Sequence, residues 1–296
     1  MIDFPPRFDW PWNDRRGRFS ALRLAACLLA AVPVVWIGYQ AATVGLGPRP
    51  YEAATHETGL WTLRLLLITL ALTPLRRITG WTRLAGIRRL LGLTVFAYAV
   101  LHLTLYIGDQ GWNLGQAASE IINRIYLTIG FVAVTGLTLL AVTSNDAAIR
   151  RMKLRWHHLH RIVYGLAALG ILHFFMQAKL EATEAALMMG LFLLLMGYRA
   201  AHRFSASLGN PLTLAAVAVP AALATAGLEA TWYGVATGIP WRAVLNANLT
   251  LMPIPRPAVI ILAVGLAVAL LPILMQCFAK AGLSGGVGKA TPPPTS

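Results

Sequence analysis

Charge is scarce in this sequence, and acidity scarcer still: 12% of its 296 residues are charged and 11 are acidic, against 57% hydrophobic. A water-soluble domain carries about twice that charged fraction, so the solvent for most of this chain is lipid. Cysteine is nearly missing. Cys27 and Cys277 stand alone in apolar stretches, with no C-x-x-C or C-x-x-C-H pattern, which excludes a disulfide framework, a zinc knuckle and covalent attachment of a c-type haem. No G-x-G-x-x-G follows a strand pattern and no strand-helix alternation occurs, which excludes a Rossmann-type nicotinamide or flavin domain. If the chain handles electrons, something outside it must supply them.

What is present is apolar runs. A spanning helix needs about 20 apolar residues. Eight segments approach that length, at about 24–46, 59–75, 91–107, 125–143, 158–178, 185–198, 212–228 and 258–277. The sixth is the shortest. The first is not a cleavable signal, because its run exceeds a signal's apolar region and Trp36, Tyr39 and Gln40 occupy the place of a small-residue cleavage site. The expected fold is therefore all-α, a polytopic transmembrane bundle.

The 25 Lys and Arg suggest nucleic acid only until they are sorted by loop. Alternate loops collect 19 of the 25 on one side, in groups at Arg7–Arg23, Arg76–Arg89, Arg150–Arg161 and Arg199–Lys289, while seven of the eleven acids fall on the other. By the positive-inside rule both termini are cytoplasmic, and nucleic acid is set aside. The organisation expected is a cytoplasmic segment 1–20, a core 21–204, a C-terminal extension 205–280 with two spans, and a Pro-rich tail 281–296 too polar to pack.

The chemistry lies in the histidines. His102 is in the third span, and the fifth runs from His157, His158 and His160 to His173. The third and fifth spans run in the same direction. His102 lies 13 residues beyond Arg89, and His173 lies 18 beyond Arg155, so the two imidazoles reach comparable depths in the outer half, where one iron porphyrin could join them. His160 precedes His173 by 13 residues, about 20 Å along a helix, and so would serve a different centre nearer the cytoplasm. A single membrane histidine is equally explained by a hydrogen bond to a backbone carbonyl, but three on two parallel helices point to function. His56 reads as loop-borne, and His157, His158 and His202 read as solvated edge residues.

Among the cations, Arg64 lies about one and a half turns inside the outer end of the second span, placed to snorkel or to pair with a buried anion such as a haem propionate. Arg88, Arg89 and Arg161 stand at the cytoplasmic ends, where they would meet propionates or a flavin phosphate as readily as they anchor topology. Trp156 beside His160, and Tyr106 after His102, suit either a porphyrin face or an interfacial aromatic belt.

Three stretches, HETGLWTLRLLLITLALTPLRR (56–77), RRLLGLTVFAYAVLHLTLY (88–106) and KLRWHHLHRIVYGLAALGILHFF (153–175), resemble the ferric-reductase-like transmembrane proteins. Within them they resemble the MsrQ (YedZ) family of haem-binding subunits of periplasmic methionine sulfoxide reductase systems, over about residues 20–200. The resemblance implies a six-helix core in the bacterial inner membrane holding one or two b-type haems on His102, His160 and His173, with FMN a further cofactor. It implies electrons from quinol or a cytosolic flavin reductase passing to a periplasmic molybdopterin enzyme of the MsrP type. The chain itself then does no sulfoxide chemistry. The wider superfamily has two histidines about 13 or 14 apart on each of two helices, whereas position 88 here is arginine. The extension beyond 204 is a second departure. The alternatives are a ferric or other haem-dependent reductase fed by a separate flavoprotein, and a transporter or scaffold without redox work.

Overall fold

The computed structural model describes residues 10–13, 17–178, 181–250 and 255–280, with the side chains of 279 and 280 not described. The expected tail 281–296, and Arg7, Arg15, Arg16, Lys179 and Lys289 of the charge count, lie outside the described residues. The described chain is helical: α1 (Ala21–Thr43), α2 (Pro50–Thr79), a 3-10 segment (Thr82–Ile87), α3 (Arg88–Asp109), α4 (Leu114–Asn123), α5 (Ile125–Val142), α6 (Asp146–Met152), α7 (Leu154–His160), α8 (Val163–Ala178), α9 (Thr183–Arg203), α10 (Pro211–Thr237), α11 (Trp241–Asn248) and α12 (Pro257–Lys280). Among the described residues, eight helical segments are long and apolar enough to cross a membrane, with α7 and α8 together making one of them. This is an all-α polytopic membrane bundle.

Helix ends follow local chemistry. Pro50 and Pro211 open α2 and α10, where their missing N–H would be unpaired in any case. Asn113, Asn145 and Asn210 cap the helices that follow them by accepting from backbone N–H groups. Pro33, Pro74, Pro220 and Pro272 are inside helices, as neighbouring helices permit in a membrane.

Four expectations need correction here. Helix α2 begins at Pro50, well before residue 59, because its first turns carry Tyr51, Glu52, His56 and Glu57 and so escape a hydropathy reading. His56 is therefore a helix residue. Arg64 is not one and a half turns inside the outer end but 14 residues along the helix, roughly 20 Å by helical rise. Helix α10 outruns its expected end near 228 because Glu229 interrupts the apolar run yet is buried.

With lipid as the solvent, helices associate by close packing rather than by hiding from water. One core joins Leu66 and Leu70 of α2, Val95 and Ala99 of α3, and Ala167 and Ile171 of α8. A second joins Leu194 of α9, Leu214 and Ala218 of α10, and Ile261 of α12. The small face of α10, with Ala218, Ala221 and Ala222 buried, lets α9 and α12 approach closely. Leu187 and Leu191 of α9 pack against both cores and fuse them.

Candidate functional site

Helices α3 and α8 bring His102 and His173 together. Their ring centroids are 6.3 Å apart and the rings are near perpendicular, at 85°. His102 Nδ1 lies 2.8 Å from the carbonyl oxygen of Thr55, and His173 Nδ1 lies 2.7 Å from that of Tyr126. A carbonyl only accepts, so each Nδ1 carries the proton and donates, and each ring is the tautomer whose Nε2 offers a lone pair. A carbonyl that accepts from the far ring nitrogen in this way fixes the orientation of a metal-binding imidazole. Two metal–nitrogen bonds of about 2 Å, plus roughly 1 Å from each nitrogen to its ring centre, require centroids about 6 Å apart, which this pair meets.

Both rings line a cavity of about 1060 Å³ between α2, α3, α5 and α8, at the large end of the range for small-molecule sites. Its walls are apolar, with Leu63, Leu66, Leu103, Leu137 and Leu166 among them, and its mouth is charged. Arg49 and Arg124 stand at that mouth. Arg49 pairs with Glu52 at 2.7 Å and reaches Asp109 at 3.8 Å, and Arg124 pairs with Glu120. The Tyr126 hydroxyl, at 3.4 Å, and Glu120 hold the Arg124 guanidinium above its ordinary range.

Among the described residues no group of three or more His, Cys, Asp and Glu could hold a metal ion. Two imidazoles by themselves are few ligands for a bare metal ion, whereas they would suffice for an iron that a porphyrin already holds. A largely apolar cavity of this volume, with Arg49 and Arg124 at an edge they share with Glu52, Glu57, Asp109 and Glu120, fits that group.

The other sequence candidates lie elsewhere. His160 closes α7, with Nε2 3.1 Å from Thr143 Oγ1 and its ring stacked on Trp156 at 3.9 Å. Trp156 donates its indole N–H to the Thr143 carbonyl at 2.9 Å. Arg88 is within electrostatic reach of His160, Arg89 pairs with Asp146 at 2.9 Å, and Arg161 is exposed. Arg64 pairs with Glu184 and lies over the Trp61 ring at 4.9 Å, so the anion it meets is a half-exposed side chain of α9. Sequence reasoning missed Arg49, Arg124 and the two carbonyls. The signal for the arginines was available: they are the cations flanking spans on the acidic side.

A second cavity, of about 520 Å³, shares His56, Phe174 and Gln177 with the first and continues to Glu181, Glu184, Leu187, Pro257 and Ile260. His56 packs edge-on against Phe174, with centroids 6.1 Å apart, in the wall between them.

The chain is similar to known proteins over much of this region. The family model "Ferric reductase like transmembrane component" matches residues 58–171. The "Protein-methionine-sulfoxide reductase heme-binding subunit MsrQ" of Xanthomonas campestris pv. campestris (strain B100) is 42% identical over 186 residues, 61% of this chain and 85% of that relative. Proteins of the same name from Rhodospirillum rubrum and Azospira oryzae are 42% and 39% identical over 189 residues, covering 88% and 81% of their lengths and 63% of this chain in each case. No solved structure gives a significant match.

Proposed function

This chain belongs to the MsrQ family, and from that premise we propose that it is the membrane electron carrier of a methionine sulfoxide reductase system. In this reading b-type haem is held between His102 and His173. Electrons come from the quinol pool or a cytosolic flavin reductase, with FMN a further cofactor, and leave to a periplasmic molybdopterin enzyme of the MsrP type. The membrane is the bacterial cytoplasmic membrane, with both termini inside. Residues 21–204 carry the chemistry, and 205–280 thicken the bundle. The observation that carries the proposal is the imidazole pair, 6.3 Å between centroids with each Nδ1 committed to a carbonyl.

When bound, haem supplies a one-electron ferric/ferrous couple. The residues of this chain do the rest. His102 and His173 would hold its iron, the leucine-lined walls would limit water around it, and Arg49 and Arg124, now paired with Glu52 and Glu120, are the cations that could turn to its propionates. Arg49→Ala combined with Arg124→Ala is expected to lower the midpoint potential, because removing two nearby cations favours the ferric state. A redox titration checks this. His160→Ala is expected to leave the b-type spectrum of the His102–His173 site in place, since the His160 ring is engaged by Thr143 and Trp156. Loss of a spectral component in that variant would assign a second haem to His160.

The second cavity supports a lipid-soluble donor. Leu187, Pro257 and Ile260 line its apolar side next to the first cavity, and His56 and Glu181 are bases at hand for the two protons that a hydroquinone releases as its two electrons leave one at a time. The functional test is reconstitution in vesicles with a hydroquinone and the periplasmic partner. Reduction of methionine sulfoxide by the wild type, absent with His102→Ala, is the expected result. Equal rates in both would reject the proposal, and iron(III) chelate reduction without the partner would favour the ferric-reductase alternative.

A further inference from the structure

The two histidines sit in equivalent surroundings on different helix pairs. One offset of 71 residues carries Thr55 to Tyr126, Gly59 to Gly130 and His102 to His173. In each half, the carbonyl that accepts from Nδ1 lies 47 residues before the histidine. The glycine follows that carbonyl by four residues, one helical turn. A Cβ built on Gly59 would stand 2.8 Å from Cε1 and 2.9 Å from Nδ1 of His102. One built on Gly130 would stand 2.8 Å from Nδ1 and 2.9 Å from Cε1 of His173. Real Cβ atoms essentially never come so close.

The coincidence has a physical reason. In a helix the carbonyl of residue i already accepts from the N–H of residue i+4, and its second lone pair points toward the helix surface. A helical side chain covers the turn on the N-terminal side of its own Cα, so the residue at i+4 overlies that lone pair. Only glycine at i+4 leaves the strip bare for a ring from a neighbouring helix. Here α2 serves α3 in one half, and α5 serves α8 in the other.

We propose that the haem site is a duplicated half-site in which Gly59 and Gly130 are positioning residues. Each keeps free the strip on which one imidazole lies, so that the ring is clamped by the carbonyl one turn earlier and Nε2 is left for iron. The proposal rests on the haem reading above for its last clause, but the clamp itself is a property of the chain without cofactor.

Gly59→Ala and Gly130→Ala test it, with Gly92→Ala on α3 and Gly165→Ala on α8 as controls, since a Cβ at either control position meets nothing within 4 Å. Haem titrated into apoprotein should bind roughly 10- to 100-fold more weakly to the clamp variants. Their ferric spectra should gain a high-spin fraction. Their midpoint potentials should rise, because losing the bond at Nδ1 weakens the ring as an electron donor. The controls should match the wild type. Unchanged affinity and spectrum in both clamp variants, or an equal loss in the controls, would overturn the proposal. If Gly59→Ala lowers the folded yield, adding His102→Ala should restore it by removing the ring that the methyl meets. Failure to restore would place the clash elsewhere and also overturn it. That last comparison is read on apoprotein, so a wild type that binds no haem would sink the cofactor reading while leaving the clamp on trial.

Discussion

Alanine at position 102 or at position 173 is expected to abolish the reduced-minus-oxidised b-type spectrum and to lower bound haem by more than tenfold. Each substitution removes one of the two imidazoles that would hold the iron; His160 stands 13 residues from His173 on a separate helix, α7, and His56, which lines the same cavity, packs edge-on against Phe174. The fold should survive. Removing either ring strands no buried donor, because the carbonyls of Thr55 and Tyr126 each keep a helical N–H partner. Circular dichroism of the variants should therefore match the wild type while the haem is gone. A b-type spectrum that persists in both variants would reject the ligand assignment.

The largest effect on folding is expected away from that site, at Arg256→Ala. Glu229 of α10 is fully buried, and its carboxylate accepts from Asn248 Nδ2 at 2.8 Å and faces Arg256 Nε at 3.7 Å. Removing the cation leaves the buried carboxylate with a single hydrogen bond, and because Arg256 is 30% exposed and lies at 3.7 Å the cost falls below that of a fully buried pair, on the order of 1–3 kcal/mol. Thermal unfolding in detergent should fall by several °C. Glu229→Gln in the same chain should recover much of that, since a neutral amide needs no cation. Haem per folded molecule should not change, because the ligands stand on α3 and α8. An unaltered unfolding midpoint in Arg256→Ala would show that Glu229 does not rely on the pair.

Much of this architecture could be read from the sequence because a membrane simplifies the problem. Helices are the default spanning structure, and apolar length locates them. The pairing of His102 with His173 followed from counting depth along two parallel helices, and the structure brings those rings together. Hydropathy failed where polar residues lie inside a helix. It cut α2 short at the turns carrying Glu52, His56 and Glu57, which misplaced His56 and the depth of Arg64, and it cut α10 short at Glu229. Apolarity measures what faces lipid, whereas these side chains face a cavity or one another.

The arginines were the less legible part. A guanidinium at a helix end reads the same whether it anchors topology or meets a ligand, and only packing showed Arg64 turned to Glu184 and Arg49 and Arg124 turned to the cavity mouth. The carbonyls of Thr55 and Tyr126 were beyond any side-chain motif. Yet the repeat that exposes them, glycine four residues after the carbonyl and histidine 43 residues after the glycine, is written in the sequence at Gly59 and Gly130.

Pulsed electron paramagnetic resonance on the ferric protein with nitrogen-15 in its histidines tests the central claim most directly, because it counts the imidazole nitrogens bound to iron. Two strongly coupled histidine nitrogens per iron, falling to one or none in His102→Ala and in His173→Ala, are the expected result. A single coupled nitrogen in the wild type, or two that persist in either variant, would contradict an iron held between α3 and α8.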